Sequence, residues 1–280
     1  MIVTDSIEEV RKIRKEDMAL SWGLVPTMGY LHDGHLSLAR QAREENDRVA
    51  FTIYVNPTQF APEEDLDSYP RALERDLALL REEGVDLVFT PSDETMYPDG
   101  FQTFVTVTDK TRLLEGASRP THFQGVTTIV AKLFNIVQPA RAYFGQKDAQ
   151  QTVVLKQMVR DLNFDVQMVI CPIVREEDGL AQSSRNQYLT AEQRAGATVL
   201  YRALQRAKEA FEDGERDGEK LRELMRDLIA EEPLAGIDYV SAADPLTLVE
   251  LDEITGDVLL SMAVFFDKTR LIDNLLLVVR

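Results

Sequence analysis

Cysteine is nearly absent: Cys171 is the only one in 280 residues. A single thiol cannot form an internal disulfide or a cysteine metal cluster. It lies in the apolar run 166–174, which predicts a buried structural thiol rather than a nucleophile and fits a reducing, cytoplasmic setting. Histidine is scarce, with only His32, His35 and His122, and no transition-metal ligand spacing occurs. No apolar run is long enough for a membrane-spanning helix, and residues 1–9 carry no signal-peptide pattern, so no membrane association and no leader are expected. Basic residues are outnumbered: 31 Lys and Arg face 48 Asp and Glu, for a formal charge of −17. That excludes a general nucleic-acid binder. An anionic substrate would have to be held by locally placed cations and backbone N–H groups. Neither G-x-x-x-x-G-K-[ST] nor G-x-G-x-x-G supplies them here, and His35 stands where the P-loop lysine would be.

What is present is concentrated in residues 25–38, Val-Pro-Thr-Met-Gly-Tyr-Leu-His-Asp-Gly-His-Leu-Ser-Leu. A strand end passes through two glycines into a segment with helical apolar spacing at Leu38, Ala39 and Ala42. Two of the three histidines, His32 and His35, fall three residues apart at the start of that helix. Free N–H groups and the helix dipole attract anions there, and an imidazole can add a hydrogen bond or a proton near neutral pH. The spacing predicts a phosphate site.

The remaining pattern alternates. A helix is expected at 6–15, with Ser6 as N-cap and Glu9 completing a capping box. Strands are expected at 21–25, 48–55, 85–90, 140–144 and 164–174, and an edge strand at 101–107. Helices are expected at 70–83 and 126–137, with Arg71 and Asp76 as surface charges on the first. Residues 61–69, with Glu63, Glu64, Asp65 and Asp67, predict a solvated loop, and residues 113–126 a long polar-aromatic one. Asn56 and Gln59 lie just beyond a strand's carboxyl end, where ligands of open α/β sheets bind. Residues 145–151, Gly-Gln-Lys-Asp-Ala-Gln-Gln, form a second strand-to-helix turn, with Lys147 as a phosphate cation and Asp148 as a helix cap. After Val174 the pattern changes. Residues 182–185, Gln-Ser-Ser-Arg, offer hydroxyls and a guanidinium for a phosphate grip. Helices at 190–213, capped by Thr190 with Gln193, and at 218–230 precede extended segments 237–243, 258–266 and 270–279. The alternation predicts a parallel α/β sheet followed by a smaller α+β domain, with the ligand cleft between them.

These stretches resemble the pantoate–β-alanine ligase family of the HIGH-motif nucleotidyltransferase superfamily. The likeness rests on residues 26–35, 54–60, 114–123, 144–148, 178–186 and 269–274, nearly end to end and in the family's order. It implies a Rossmann-like N-terminal domain over residues 1–176 and a C-terminal domain over 177–280 that closes over ATP. It implies pantoate attack on the α-phosphate of ATP, then attack of β-alanine on the pantoyl adenylate, releasing AMP. It assigns catalysis to His32, His35, Lys147 and Arg185, with His35 as proton donor. It assigns ATP binding to Met28, Gly29, Tyr30, Leu31, Asp33, Gly34, Gly145, Gln146, Asp148, Val174, Gln182, Ser183 and Ser184 as well. Gln59 and Gln151 would hold pantoate and β-alanine, and Asp76 would stand near Mg²⁺. A homodimer is implied, with residues 115–123 near its interface. Thr121 and Asp267 stand where the family commonly has Gly, and Gln182 where it has Leu or Met. A plain nucleotidyltransferase and a non-catalytic nucleotide-binding regulator are the competing readings.

Overall fold

The computed structural model describes residues 1–61, 64 and 66–279, so Glu63 and Asp65 of the acidic loop lie outside it. The N-terminal region runs β1 (Ile2–Thr4), α1 (Ile7–Glu16), β2 (Trp22–Thr27), α2 (Asp33–Glu45), β3 (Arg48–Ile53), α3 (Leu73–Glu82), β4 (Leu87–Phe89), α4 (Asp93–Met96), α5 (Glu115–Ser118), α6 (His122–Val137), β5 (Arg141–Gly145), α7 (Ala149–Asp161) and β6 (Gln167–Cys171). Its six strands form one parallel sheet in the order β1-β4-β3-β2-β5-β6. The chain moves outward from β2 through β3 to β4, then returns to place β5 on the other side of β2. That reversal is a topological switch point, and a crevice forms beyond the strand ends there. The β2–β3 ladder pairs Trp22 through Thr27, whereas β2 and β5 pair only at Gly23–Arg141 and Leu24–Ala142. The two strands therefore part before their carboxyl ends.

The second region runs α8 (Ala191–Gly196), α9 (Val199–Glu212), α10 (Gly218–Ala230), β7 (Ala235–Ala243), β8 (Val258–Phe266) and β9 (Thr269–Leu277). Its antiparallel sheet, β7-β8-β9, packs on α9 and α10 around a separate core of Leu200, Leu204, Leu221, Met225, Val258 and Met262. The fold is α/β, a Rossmann-like N-terminal domain followed by a smaller α+β one.

Several expectations change in detail. Strand β1 was not foreseen; three residues with one buried side chain carry too little pattern. Ser6 caps α1 by accepting the Glu9 N–H at 3.3 Å, but the Glu9 carboxylate takes the Thr4 hydroxyl instead of closing the capping box. Residues 101–107 form no strand, because the Thr128 and Thr127 hydroxyls of α6 take the Val105 N–H and C=O at 3.0 and 2.6 Å. The loop expected over 113–126 is largely helical, as α5 and the first turn of α6. Gly125 lets α6 press on residues 57–59: a Cβ there would lie 2.4 Å from the Thr58 carbonyl oxygen. The helix expected over 190–213 is two. Thr190 and Gln193 do form a capping box, but the Thr198 hydroxyl bonds the Ala195 carbonyl at 2.8 Å where α8 stops. Thr121 precedes α6 with ordinary right-handed φ and ψ, so nothing there demands Gly. Asp267, in the β8–β9 turn, has φ 54°, the region Gly occupies without strain.

Candidate active site

Beyond Thr27 the chain turns through Gly29 (φ 84°) and Tyr30 (φ 51°) into α2. Asp76 of α3 holds this turn. Its Oδ2 accepts the Tyr30 N–H at 2.7 Å and its Oδ1 the Leu31 N–H at 2.9 Å. Asp76 is 1 % exposed, and burial raises its carboxyl pKa against the pull of those two bonds. It is not a surface charge. Both oxygens accept backbone donors of the turn, and Asp76 is not among the residues lining the cleft described below. Its position one turn before the buried Leu80 was the available sequence signal.

At the start of α2 the two histidines cap each other's turn. His32 Nδ1 accepts the Gly34 N–H at 3.1 Å, and His35 Nδ1 accepts the His32 N–H at 3.4 Å. Their ring centroids are 4.1 Å apart. With each Nδ1 accepting, the proton of each neutral ring is assigned to Nε2. Burial pushes the His32 pKa down to about 4, with the Lys147 charge adding to the effect. Burial, then His32 and Lys147, pushes His35 well below its usual value. Both rings are therefore neutral N–H donors at pH 7 rather than cations.

Gly145 ends β5 on the other side of the switch point, and a 3₁₀ turn, Gln146–Asp148, leads into α7. Lys147 sits here, 4.0 Å from Asp148 Oδ1. Asp148 makes no side-chain cap to α7, contrary to expectation. Gln59 closes the 3₁₀ turn Pro57–Gln59 after β3. Its Oε1 accepts from Asn56 Nδ2 at 3.1 Å, and its carbonyl is bonded by His122 Nδ1 at 2.9 Å. From the C-terminal side, residues 174–185 fold back through the Arg175–Ala181 bridge. The Ser183 hydroxyl accepts the Arg185 N–H at 3.2 Å, and Ser184 Oγ lies 3.2 Å from the Tyr69 hydroxyl.

These segments meet around one cleft of about 1300 Å³. Of the expected residues, Met28, His32, Gly34, His35, Gln59, Gly145, Lys147, Asp148, Gln151, Val174, Gln182, Ser183, Ser184 and Arg185 line it. Gly29, Tyr30, Leu31, Asp33 and Gln146 do not. Leu31 is fully buried in the core, Tyr30 faces Arg75, and Gln146 Nε2 donates to Asn274. Among the described residues no group of three or more His, Cys, Asp or Glu is placed to hold a metal ion. Two further cleft residues have no individual role in the sequence pattern: Tyr69, at the end of the acidic loop, and Gln150, within the 145–151 turn. The buried Gln150 amide accepts the Glu115 N–H at 2.9 Å and donates to the carbonyls of Lys110 and Leu113, fixing the segment before α5. No sequence spacing marks either one.

A histidine pair at a helix start and a lysine turn, facing each other across the switch point of a parallel sheet, define a nucleotide-binding α/β protein of the group-transfer kind. Comparison with known proteins narrows this. The family model described as Pantoate-beta-alanine ligase matches residues 2–276, and the chain belongs to that family. A pantothenate synthetase from Chloroflexus aurantiacus is 62 % identical over 278 residues, covering 99 % of this chain and 98 % of its own. That of Acetivibrio thermocellus is 54 % identical, covering 99 % of each. The crystal structure of pantothenate synthetase from Thermus thermophilus superposes with a TM-score of 0.94 at 48 % identity, over 98 % of this chain and 99 % of that one. The Francisella tularensis pantoate–β-alanine ligase, solved with a β,γ-ATP compound and β-alanine, gives 0.81 at 35 % identity, over 99 % and 97 %.

Proposed function

We propose that this chain joins (R)-pantoate to β-alanine using ATP, through a pantoyl adenylate formed in the cleft between residues 1–176 and 177–280. The observation that carries the reading is the meeting of His32, His35, Lys147 and Arg185 on one cleft at the sheet's switch point. In the first step a pantoate carboxylate oxygen bonds to the α-phosphorus, and the bond to the β,γ-pyrophosphate breaks. Lys147, Ser183, Ser184 and Arg185 neutralise and orient the phosphates. His32 and His35 meet the α-phosphate with N–H groups fixed in place before charge builds. The negative triphosphate raises both imidazole pKa values, which is the condition for His35 to act as a proton donor. Met28, Gly145 and Val174 support the nucleoside, and Gln59 and Gln151 orient pantoate. In the second step the β-alanine amine attacks the acyl carbon and AMP leaves.

Mg²⁺ would come with the nucleotide phosphates, and Asp148, on the cleft beside Lys147, would offer it a carboxylate. The enzyme works as a homodimer in the cytoplasm. Within residues 115–123 the surface for a partner is Ala117, Ser118, Pro120 and Thr121, since Glu115 and Phe123 are buried in the chain. The test is AMP release with ATP, Mg²⁺ and pantoate, with and without β-alanine. AMP should form only when both acids are present. A stable nucleotide adduct would indicate a nucleotidyltransferase, and no turnover a binding protein.

A further inference from the structure

Two neighbouring residues in the middle of β9, Asp273 and Asn274, are each 2 % exposed, although both are polar. Burying such groups is costly unless every polar atom is matched. Here they are matched by two different parts of the site. Asn274 Nδ2 donates to the Gln146 carbonyl at 3.0 Å and to the Lys147 carbonyl at 2.8 Å, and Gln146 Nε2 returns a bond to Asn274 Oδ1 at 3.0 Å. Both amide hydrogens of Asn274 are thus spent on the backbone that carries Lys147. Asp273 takes Arg175 in a bidentate pair, at 2.6 and 2.9 Å. Arg175 also donates to the Gly179 carbonyl at 3.0 Å, and its guanidinium lies 4.6 Å from the Tyr201 ring centroid. It therefore pins the start of the loop that ends in Gln182–Arg185.

Neither pinned segment is regular structure. Residues 146–148 form one 3₁₀ turn and residues 175–183 a loop, and the Gln146, Lys147 and Gly179 carbonyls among them take side-chain donors. A lysine side chain is long and mobile, and its aim begins with the placement of its own backbone. An aliphatic side chain would satisfy the β9 sheet position. It could not hold two carbonyls of another segment.

We propose that Asp273 and Asn274 form a positioning pair, which sets Lys147 and the 182–185 segment at a fixed separation across the nucleotide cleft. This rests on the reading of Lys147 as a phosphate ligand. Asn274 acts through the Lys147 backbone, and Asp273 acts through Arg175. Neither side chain has a donor left over for substrate.

The test is a double-mutant cycle on the full enzyme, using Lys147→Ala, Asn274→Ala and the double variant. ATP dissociation constants are measured by calorimetry, KM for ATP and β-alanine by AMP release, and folding by thermal melting. Asn274→Ala should weaken ATP binding about tenfold, the scale of losing one or two buried hydrogen bonds. The KM for β-alanine should stay within about twofold, and the double variant should bind ATP no more weakly than Lys147→Ala alone. If Asn274→Ala does not fold, Asn274→Asp keeps the shape, removes both donors and should show the same ATP-selective loss. The inference is overturned by multiplying losses in the double variant, by equal rises in both KM values, or by wild-type ATP binding in the Asn274 variants while Lys147→Ala is impaired. Wild-type ATP binding in Lys147→Ala would instead remove the reading beneath it.

Discussion

The Gly34 N–H, at the second position of α2, donates to Gln182 Oε1 at 2.9 Å. One residue of the C-terminal region thus closes directly on the helix start that carries the histidine pair. The amide oxygen shares with His32 Nδ1 a donor that a nucleotide reaching Gly34 would need. Gln182→Met removes this competitor, and the KM for ATP should fall several-fold. Gln182→Glu places a carboxylate there, which bonds more strongly and repels phosphate, so KM should rise. A higher KM for Gln182→Met would show that the amide grips the nucleotide instead.

His35 contributes an N–H donor to the cleft and a cap to α2. His35→Ala should reduce AMP formation by roughly 10²-fold or more. The far-ultraviolet circular dichroism spectrum should not change, since one weak 3.4 Å cap is lost. Turnover near wild type would take His35 out of the mechanism.

Asp76 satisfies two backbone N–H groups, one of them buried. Asp76→Ala strands both, at a cost of about 1–3 kcal/mol for each buried donor left unmatched. The melting temperature should drop by several degrees. Asp76→Asn keeps the shape and one oxygen acceptor, and should lose less stability. Its dependence of turnover on Mg²⁺ concentration should match the wild type. A large rightward shift in that curve would restore Asp76 as a magnesium ligand.

All three histidines titrate low, with burial as the first cause in each. His32 falls to about 4 with help from Lys147, His122 to about 4 with help from Arg119, and His35 well below its usual value. An unfolded histidine takes its proton near pH 6.5, so between about 6.5 and 4 the unfolded chain holds more protons than the folded one. The stability these rings contribute is complete above pH 6.5 and is lost as pH falls toward 4. Melting temperature should decline over that window on acidification. His122→Asn can still donate to the Gln59 carbonyl, and should flatten part of the decline. An unchanged slope would refute the assignment for His122.

The turns at 28–35 and 145–151 were legible because each follows an apolar strand and combines glycine with a rare or charged residue. Lys147 was legible for the same reason, and so was the Thr190–Gln193 cap, whose partners lie within one helical turn. Asp76 was misread because its partners, the Tyr30 and Leu31 N–H groups, lie 46 and 45 positions away. Asp148 makes no cap because the 3₁₀ turn leaves its backbone at φ −96°, ψ 57°, outside the extended region of a capping residue. The strand expected at 101–107 failed because threonine hydroxyls of α6 met its backbone before another strand could.

Local chemistry in the chain set the strands and long helices that flank the site, the glycine turns and the residues able to meet a phosphate, because each depends on neighbours a few positions apart. The order of strands belongs to the folded molecule alone. That order puts β5 beside β2 and lets the two part after Leu24–Ala142, so His32 and Lys147 face one crevice. Bonds such as Asn274 to Lys147 span 127 positions, and no pattern in the sequence encodes them. They exist because β9 of the second region lies against the turn after β5, whose Gln146 and Lys147 carbonyls take its donors.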